Sequence, residues 1–195
     1  MAYALAMSSV ATRTVTGAEF ARLPEPAHGG KMELIRGEVV TMAPVGPEHG
    51  ESAVRLGYSL HQFGHENHLG RTRVETGYWL GSDPDHILAP DVSFVAAKRV
   101  LEERLKEGFV DRPPSLAVEV TSPNDKDYEV NAKVADYLAA GVDRVWVVRP
   151  ELRSVTVYRR GGEVRLVNVD GVLTSDDAGF ELEGFELPLA VLFAD

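Results

Sequence analysis

The sequence predicts an α/β (α+β) fold, a β-sheet with helices on its faces and extra strands towards the C-terminus. Three observations carry that reading. Helix-period and strand-period segments alternate along most of the chain. The Val-rich run Leu116-Ala117-Val118-Glu119-Val120-Thr121 reads as a strand. Two later apolar runs are joined by Arg160-Gly161-Gly162-Glu163, a hairpin turn signal.

Taken in order, Thr16 followed by Glu19 and then Pro24 marks a short capped helix over residues 16–23. Residues 31–42 read as a β-hairpin, and residues 48–66 as a helix with Ala53, Leu56, Leu60 and Phe63 on its buried face. A strand at about 71–80, an Asp- and Pro-rich turn at 81–86 and a strand opened by Pro90-Asp91 come next. A charged helical segment at 97–107 precedes the break at Arg112-Pro113-Pro114 and the Glu119 strand. Val130, Val134, Tyr137 and Leu138 form a helical stripe that ends at Gly141. Val145–Val148 is a buried strand, and 155–158 pairs with 163–169. The expected order is αβ-αββ-αβ-αβ followed by more strands.

With 195 residues, 44% of them apolar, the chain suits one globular domain over 1–195. The absence of cysteine excludes disulfides, thiolate zinc sites and cysteine nucleophiles. The stretch Met1–Met7 is mildly apolar without a basic leader, and no run approaches the roughly 20 apolar residues of a membrane span, so a soluble cytoplasmic protein is expected. A net charge of −10 argues against nonspecific adhesion to nucleic acid, yet −7 of it falls in residues 170–195. Six arginines between 144 and 165 face only two glutamates, which reads either as a phosphate-facing stripe or as solvated charge on a strand pair.

The chemistry centres on Glu119. Burying an ionised carboxylate costs several kcal/mol unless cations or donors compensate, so a Glu inside a Val-rich strand implies a partner. Side chains alternate, placing Glu119 with Ala117 and Thr121 opposite Leu116, Val118 and Val120. Lys133 lies on the following helix about 60° from Val130, at the edge of the apolar stripe, while Glu129 and Asp136 are expected to point to solvent. The Lys133 stem can cross the core and deliver its ammonium to the sheet. An Asp at a strand end, a Glu in the next strand and a Lys form a set suited to metal-assisted phosphodiester hydrolysis.

At these residues the chain resembles the PD-(D/E)XK nuclease superfamily, and within it the Uma-type family of restriction-endonuclease-like proteins. The resemblance runs through Met32–Glu38, Pro47-Glu48-His49, Pro90–Val95, Pro113–Pro123, Lys133–Tyr137, Gly141-Val142 and Trp146. It implies a restriction-endonuclease-like mixed β-sheet flanked by helices, with Asp91 and Glu119 as ligands of Mg²⁺ or Mn²⁺. Thr121 stands where the superfamily pattern has its Lys, and Lys133 resembles the migrated replacement. Glu38 and His49 match further polar positions: Glu38 as a third metal ligand, His49 as a group holding a metal-bound water or a phosphate. The implied activity is that of an endonuclease acting on DNA, with a homodimer as the expected assembly. The noncatalytic alternative keeps the fold as a nucleic-acid or protein-interaction module, with Glu119–Lys133 a buried ion pair and Asp91 closing a turn.

Other clusters carry less. His61, His65 and His68 have a zinc-like spacing but lack the Glu of a His-Glu-x-x-His site. Asp83, Asp85 and His86 surround Pro84 as ordinary turn chemistry. Ser122 has no Gly-x-Ser-x-Gly elbow, and the scattered aromatics offer no stacking platform for single strands.

Overall fold

Thr16 opens the first helix, α1 (Gly17–Phe20), through a reciprocal capping box with Glu19. The computed structural model describes residues 13–27, 29–123, 125–179 and 183–194; the Met1–Met7 stretch and Glu181 of the acidic region lie outside them. Strands β1 (Lys31–Ile35) and β2 (Glu38–Met42) form the expected hairpin. Its two-residue turn, Arg36-Gly37, has φ of 50° and 80°, which Gly37 adopts without steric cost.

Helix α2 (Pro47–Glu66) starts with Pro at its first turn and buries Leu56 and Leu60. Then come β3 (Gly70–Val74), β4 (Tyr78–Gly81), β5 (His86–Leu88), β6 (Val92–Ala96) and α3 (Ala97–Glu102). They are followed by β7 (Leu105–Lys106), β8 (Phe109–Val110), β9 (Leu116–Val120), α4 (Asp127–Ala140), β10 (Arg144–Arg149), β11 (Ser154–Arg159) and β12 (Val164–Asn168). The chain closes with β13 (Val172–Thr174), α5 (Ser175–Ala178), β14 (Glu186–Pro188) and α6 (Leu189–Leu192).

The strands form two six-stranded mixed sheets, ordered β12-β11-β10-β9-β6-β3 and β2-β1-β5-β4-β8-β7, and a small β13-β14 pair. In the first sheet β9 and β10 are parallel and α4 makes the crossover between them. Alternation along the strands sends Val92, Phe94, Val118 and Trp146 into one cluster with Leu56 and Leu60 of α2. Ala117, Val145 and Val147 point the other way, against Val130, Val134 and Tyr137 of α4. The C-terminal strands and short helices also enter the core: Leu173, Phe185, Leu187, Leu189 and Leu192 join the α2-side cluster. The acidic C-terminal region is therefore amphipathic, with apolar residues inward.

Two expected elements differ. The strand expected over 71–80 breaks at Glu75, whose φ of 45° turns the chain, so that β3 and β4 belong to different sheets. The helix expected over 97–107 ends at Glu102, because Glu107-Gly108 adopt positive φ and turn a small β7–β8 hairpin instead.

Gly64 lets α2 approach the sheet: a Cβ there would lie 2.5 Å from the Phe94 ring. Gly64→Ala is expected to destabilise the protein by about 1–3 kcal/mol through overpacking, despite alanine's better helix propensity. Urea denaturation checks this; a gain in stability would mean that Phe94 can move aside.

Candidate active site

The β6/β9 register brings the two predicted carboxylates together. Val92 faces Val118, Ser93 faces Ala117 and Phe94 faces Leu116. One step further along this antiparallel ladder sets Asp91 beside Glu119 on the α4 side. Asp91 is 5% exposed, and its Oδ2 accepts a hydrogen bond from the Val120 amide at 2.8 Å. Glu119 points towards α4, where the Tyr137 hydroxyl donates to Oε1 at 2.6 Å and the Lys133 ammonium lies 3.2 Å from Oε2. Lys133 and Tyr137 are one turn apart on the helix face that also carries Val130 and Val134, so their polar ends reach the buried Glu119.

Strand β1 adds two charges from the second sheet. Lys31 and Glu33 alternate along it and so share a face. The Lys31 ammonium lies 2.7 Å from Asp91 Oδ1 and 2.9 Å from the Ala89 carbonyl oxygen. Glu33, 1% exposed, accepts from the Ala89 amide through Oε1 at 2.9 Å, and its Oε2 stands 2.8 Å from the Lys133 nitrogen. That contact is an ion pair without hydrogen-bond geometry, so the buried Glu33 Oε2 has no hydrogen-bond partner. His49, in the first turn of α2, meets the cluster from the other side, with Nδ1 3.3 Å from Ser122 Oγ and Nε2 3.5 Å from Asp91 Oδ2.

Five buried or nearly buried charges thus converge, three carboxylates and two ammoniums, and their proton affinities diverge accordingly. Burial would raise the Asp91 carboxyl, but the His49 imidazole and the Lys31 ammonium outweigh it and hold the group well below the usual carboxylate range. Burial raises Glu119, Lys133 opposes the rise, and the neighbouring Asp91 charge adds to it. For Lys133, burial favours the neutral amine, yet Glu119 and Glu33 more than compensate and keep it protonated. Burial, with the Glu119 charge beside it, pushes the Tyr137 hydroxyl well above its ordinary value, so it acts as a donor. Adjacent carboxyls driven in opposite directions are a feature of reactive sites as well as of structural ion-pair networks. Tyr137→Phe would strip Glu119 Oε1 of its donor, and a loss of about 1–3 kcal/mol in unfolding free energy by urea titration is expected. A smaller loss would mean that another group takes over the bond.

The structure therefore gathers Asp91, Glu119, Lys133 and His49. Glu38 stands apart: it is exposed and pairs with Ile35 at the turn end of the hairpin, whereas Glu33, paired with Val40, lies inside. Sequence reasoning passed over Lys31, Glu33 and the Tyr137 hydroxyl; the Lys31-x-Glu33 alternation in a strand was the available signal for the first two. Asp136, expected in solvent, is largely covered instead, ion-paired with Arg36 and 3.1 Å from His86 Nε2. The arginines of 144–165 are engaged internally: Arg159 and Arg165 on Asp177, Arg149 with Asp127, Arg160 with Asp143, Arg153 on the Phe193 carbonyl and Arg144 on the Asp143 and Asp176 carbonyls. These partners compete with a phosphate for the guanidinium groups, which argues against a phosphate-facing stripe.

Among the described residues, no three His, Asp or Glu side chains form a ready-made metal cage. A Mg²⁺-type ion does not need one, since it binds through one or two carboxylates and keeps several waters. Asp91, Glu119 and Glu33 supply hard carboxylate oxygens of the kind such an ion takes, and Glu33 Oε2, ion-paired with Lys133, has no hydrogen-bond partner.

The mixed sheet covered by helices, with Asp91 at the end of one strand and Glu119 in the strand paired with it, has the restriction-endonuclease-like arrangement. The chain belongs to the Uma2 family, described as "Putative restriction endonuclease", whose match spans residues 18–190. It is also similar to the crystal structure of a "putative nuclease belonging to DUF820" from Anabaena variabilis ATCC 29413, with a TM-score of 0.74 and 22% identity over 92% of this chain and 98% of that one. No curated protein matches it. Among the described residues, no helix is long and apolar enough to cross a membrane.

Proposed function

We propose that the chain is a divalent-metal-dependent endonuclease that hydrolyses phosphodiester bonds in DNA. One observation supports this above the rest: Asp91, Glu119 and Lys133, from three separate elements, meet in one buried cluster. In this reading Asp91 and Glu119 hold Mg²⁺ or Mn²⁺, with Glu33 taking the place first expected of Glu38. The ion, when bound, lowers the pKa of a bound water and polarises the phosphoryl group. Lys133 orients the attacking water and offsets negative charge developing on the phosphate. Tyr137 fixes the Glu119 carboxylate, and His49 sits beside Asp91 where a phosphate oxygen or a bound water would be met.

A second reading, a noncatalytic interaction module, draws on the fact that Lys31 and Lys133 already neutralise most of the carboxylate charge. Cleavage assays on mixed DNA and RNA substrates, with Mg²⁺ or Mn²⁺, separate the two. The nuclease reading expects metal-dependent DNA cleavage that is lost in Asp91→Ala and Lys133→Ala. Cleavage that survives both substitutions, or that never appears with either metal, would overturn it. A homodimer is the expected assembly, supported by the exposed Val164 and Leu166 on edge strand β12, and sedimentation of the purified protein tests it; the cytoplasm is the expected compartment.

A further inference from the structure

Lys31 touches the oxygens that a cation at this site would seek. Its ammonium is bonded to Asp91 Oδ1 at 2.7 Å and to the Ala89 carbonyl oxygen at 2.9 Å, a carboxylate and a backbone carbonyl on one side of a single positive group. The side chain is 18% exposed and the Asp91 side chain 5%, so water does little to screen the pair. Lys133 has a different place, between Glu33 and Glu119. Of the two ammoniums, Lys31 is therefore the one bonded to Asp91, whose other oxygen lies 3.5 Å from His49 Nε2.

We propose that Lys31 is an internal counter-ion that competes with the divalent metal for Asp91, so that metal entry requires its ammonium to leave the Asp91 and Ala89 oxygens. The inference rests on Asp91 being a metal ligand. It follows from charge and geometry: an ammonium in hydrogen-bond contact with a ligand oxygen both occupies that oxygen and repels a dication placed beside it. Lys31 thereby sets the metal concentration at which the site fills. Together with His49 and the Val120 amide, the same residue compensates the buried Asp91 charge when metal is scarce.

The test is Mn²⁺ binding to the purified full chain by isothermal titration calorimetry, comparing wild type with Lys31→Met, Lys31→Gln and Lys31→Arg. Loss of the charge in the Met and Gln variants is expected to tighten Mn²⁺ binding roughly tenfold or more, whereas Arg, which keeps the charge, should not tighten it. A wild-type measurement keeps the idea falsifiable should the variants fold poorly. Amine acetylation read by peptide mass spectrometry should label Lys31 several-fold faster when Mn²⁺ saturates the protein, with exposed Lys98 as the unchanged control. Unchanged affinity in the folded Met and Gln variants, or Lys31 labelling that Mn²⁺ leaves the same or slows, would overturn the proposal. Asp91→Asn distinguishes the two levels. If it binds Mn²⁺ as wild type does, Asp91 is no ligand and both readings fall. If it abolishes binding while the Lys31 variants gain nothing, only the counter-ion role falls.

Discussion

Lys133→Met is expected to reduce metal-dependent DNA cleavage by about 10²–10³-fold and to lower the unfolding free energy by about 3–5 kcal/mol. The two effects have separate causes. The ammonium lies between Glu33 Oε2 at 2.8 Å and Glu119 Oε2 at 3.2 Å, and both carboxylates are almost completely buried. Methionine fills a similar volume but leaves two buried carboxylates without the ammonium between them. Breaking a buried ion pair from one side is costly because the charge left behind has lost its water as well as its partner. Pairing the change with Glu33→Gln removes one of the stranded anions, so the double variant Glu33→Gln/Lys133→Met should regain part of the lost stability. Cleavage should not return with it, since neither new side chain supplies a cation to the reacting phosphate. Urea denaturation and the DNA cleavage assay, run on the same three proteins, read the two quantities. Activity that recovers in step with stability would assign Lys133 a purely structural role.

How much of this centre was legible in the chain depended on how local the information was. Glu119 and Lys133 could be found because a Glu within Val-rich sequence calls for a cation, and helical spacing puts Lys133 on the edge of the face that covers it, whereas Asp91 showed itself as a Pro-Asp step at a strand head within the family resemblance. Glu33 and Glu38 sit on the same hairpin; the Lys31-x-Glu33 alternation puts Glu33 on one face of β1, but nothing within the hairpin says that this face is the one covered. The decision is made elsewhere, by pairing of β1 with β5 at Leu34 and Ile87, which carries Glu33 to the Ala89 amide and leaves Glu38 at the open turn. Lys31 reaches Asp91 through the same nonlocal register. The break at Glu75 was hidden for a related reason: residues 71–80 carry strand-forming sequence on both sides, and only the positive φ at Glu75 separates them. Residues 97–107 show the converse. Their charged side chains suit a helix, but Glu107-Gly108 and the pairing of Leu105 with Val110 take the chain into a hairpin.

The arginine-rich strand pair leads to the other large expectation, that Asp177→Ala destabilises the protein by about 3 kcal/mol or more at neutral pH. The Asp177 side chain is fully buried. It is ion-paired with Arg165, lies 3.2 Å from Arg159, and accepts from the Thr174 amide at 3.0 Å, completing the capping box of α5. Its carbonyl accepts from the Trp146 indole at 2.7 Å, so displacing this turn also disturbs the largest buried side chain of the sheet. Arg165 is 41% exposed and Arg159 18%, so both can recover some hydration once the carboxylate is gone, which keeps the expected loss at the lower end for a buried pair. Loss of the cap adds about 1 kcal/mol. Burial would raise this carboxyl, but the Arg165 hydrogen bond and the Thr174 amide prevail and hold it below its ordinary value. A depressed folded-state value means that the unfolded chain takes up the proton first. The stabilisation is therefore complete above the unfolded carboxyl value of about 4 and drains away as the pH falls through the folded one. Urea midpoints measured from neutral pH downward should accordingly show wild type and Asp177→Asn far apart near pH 7 and converging below about pH 4. A gap that stayed constant over that range would place the contribution of Asp177 in packing and neutral hydrogen bonds rather than in its charge.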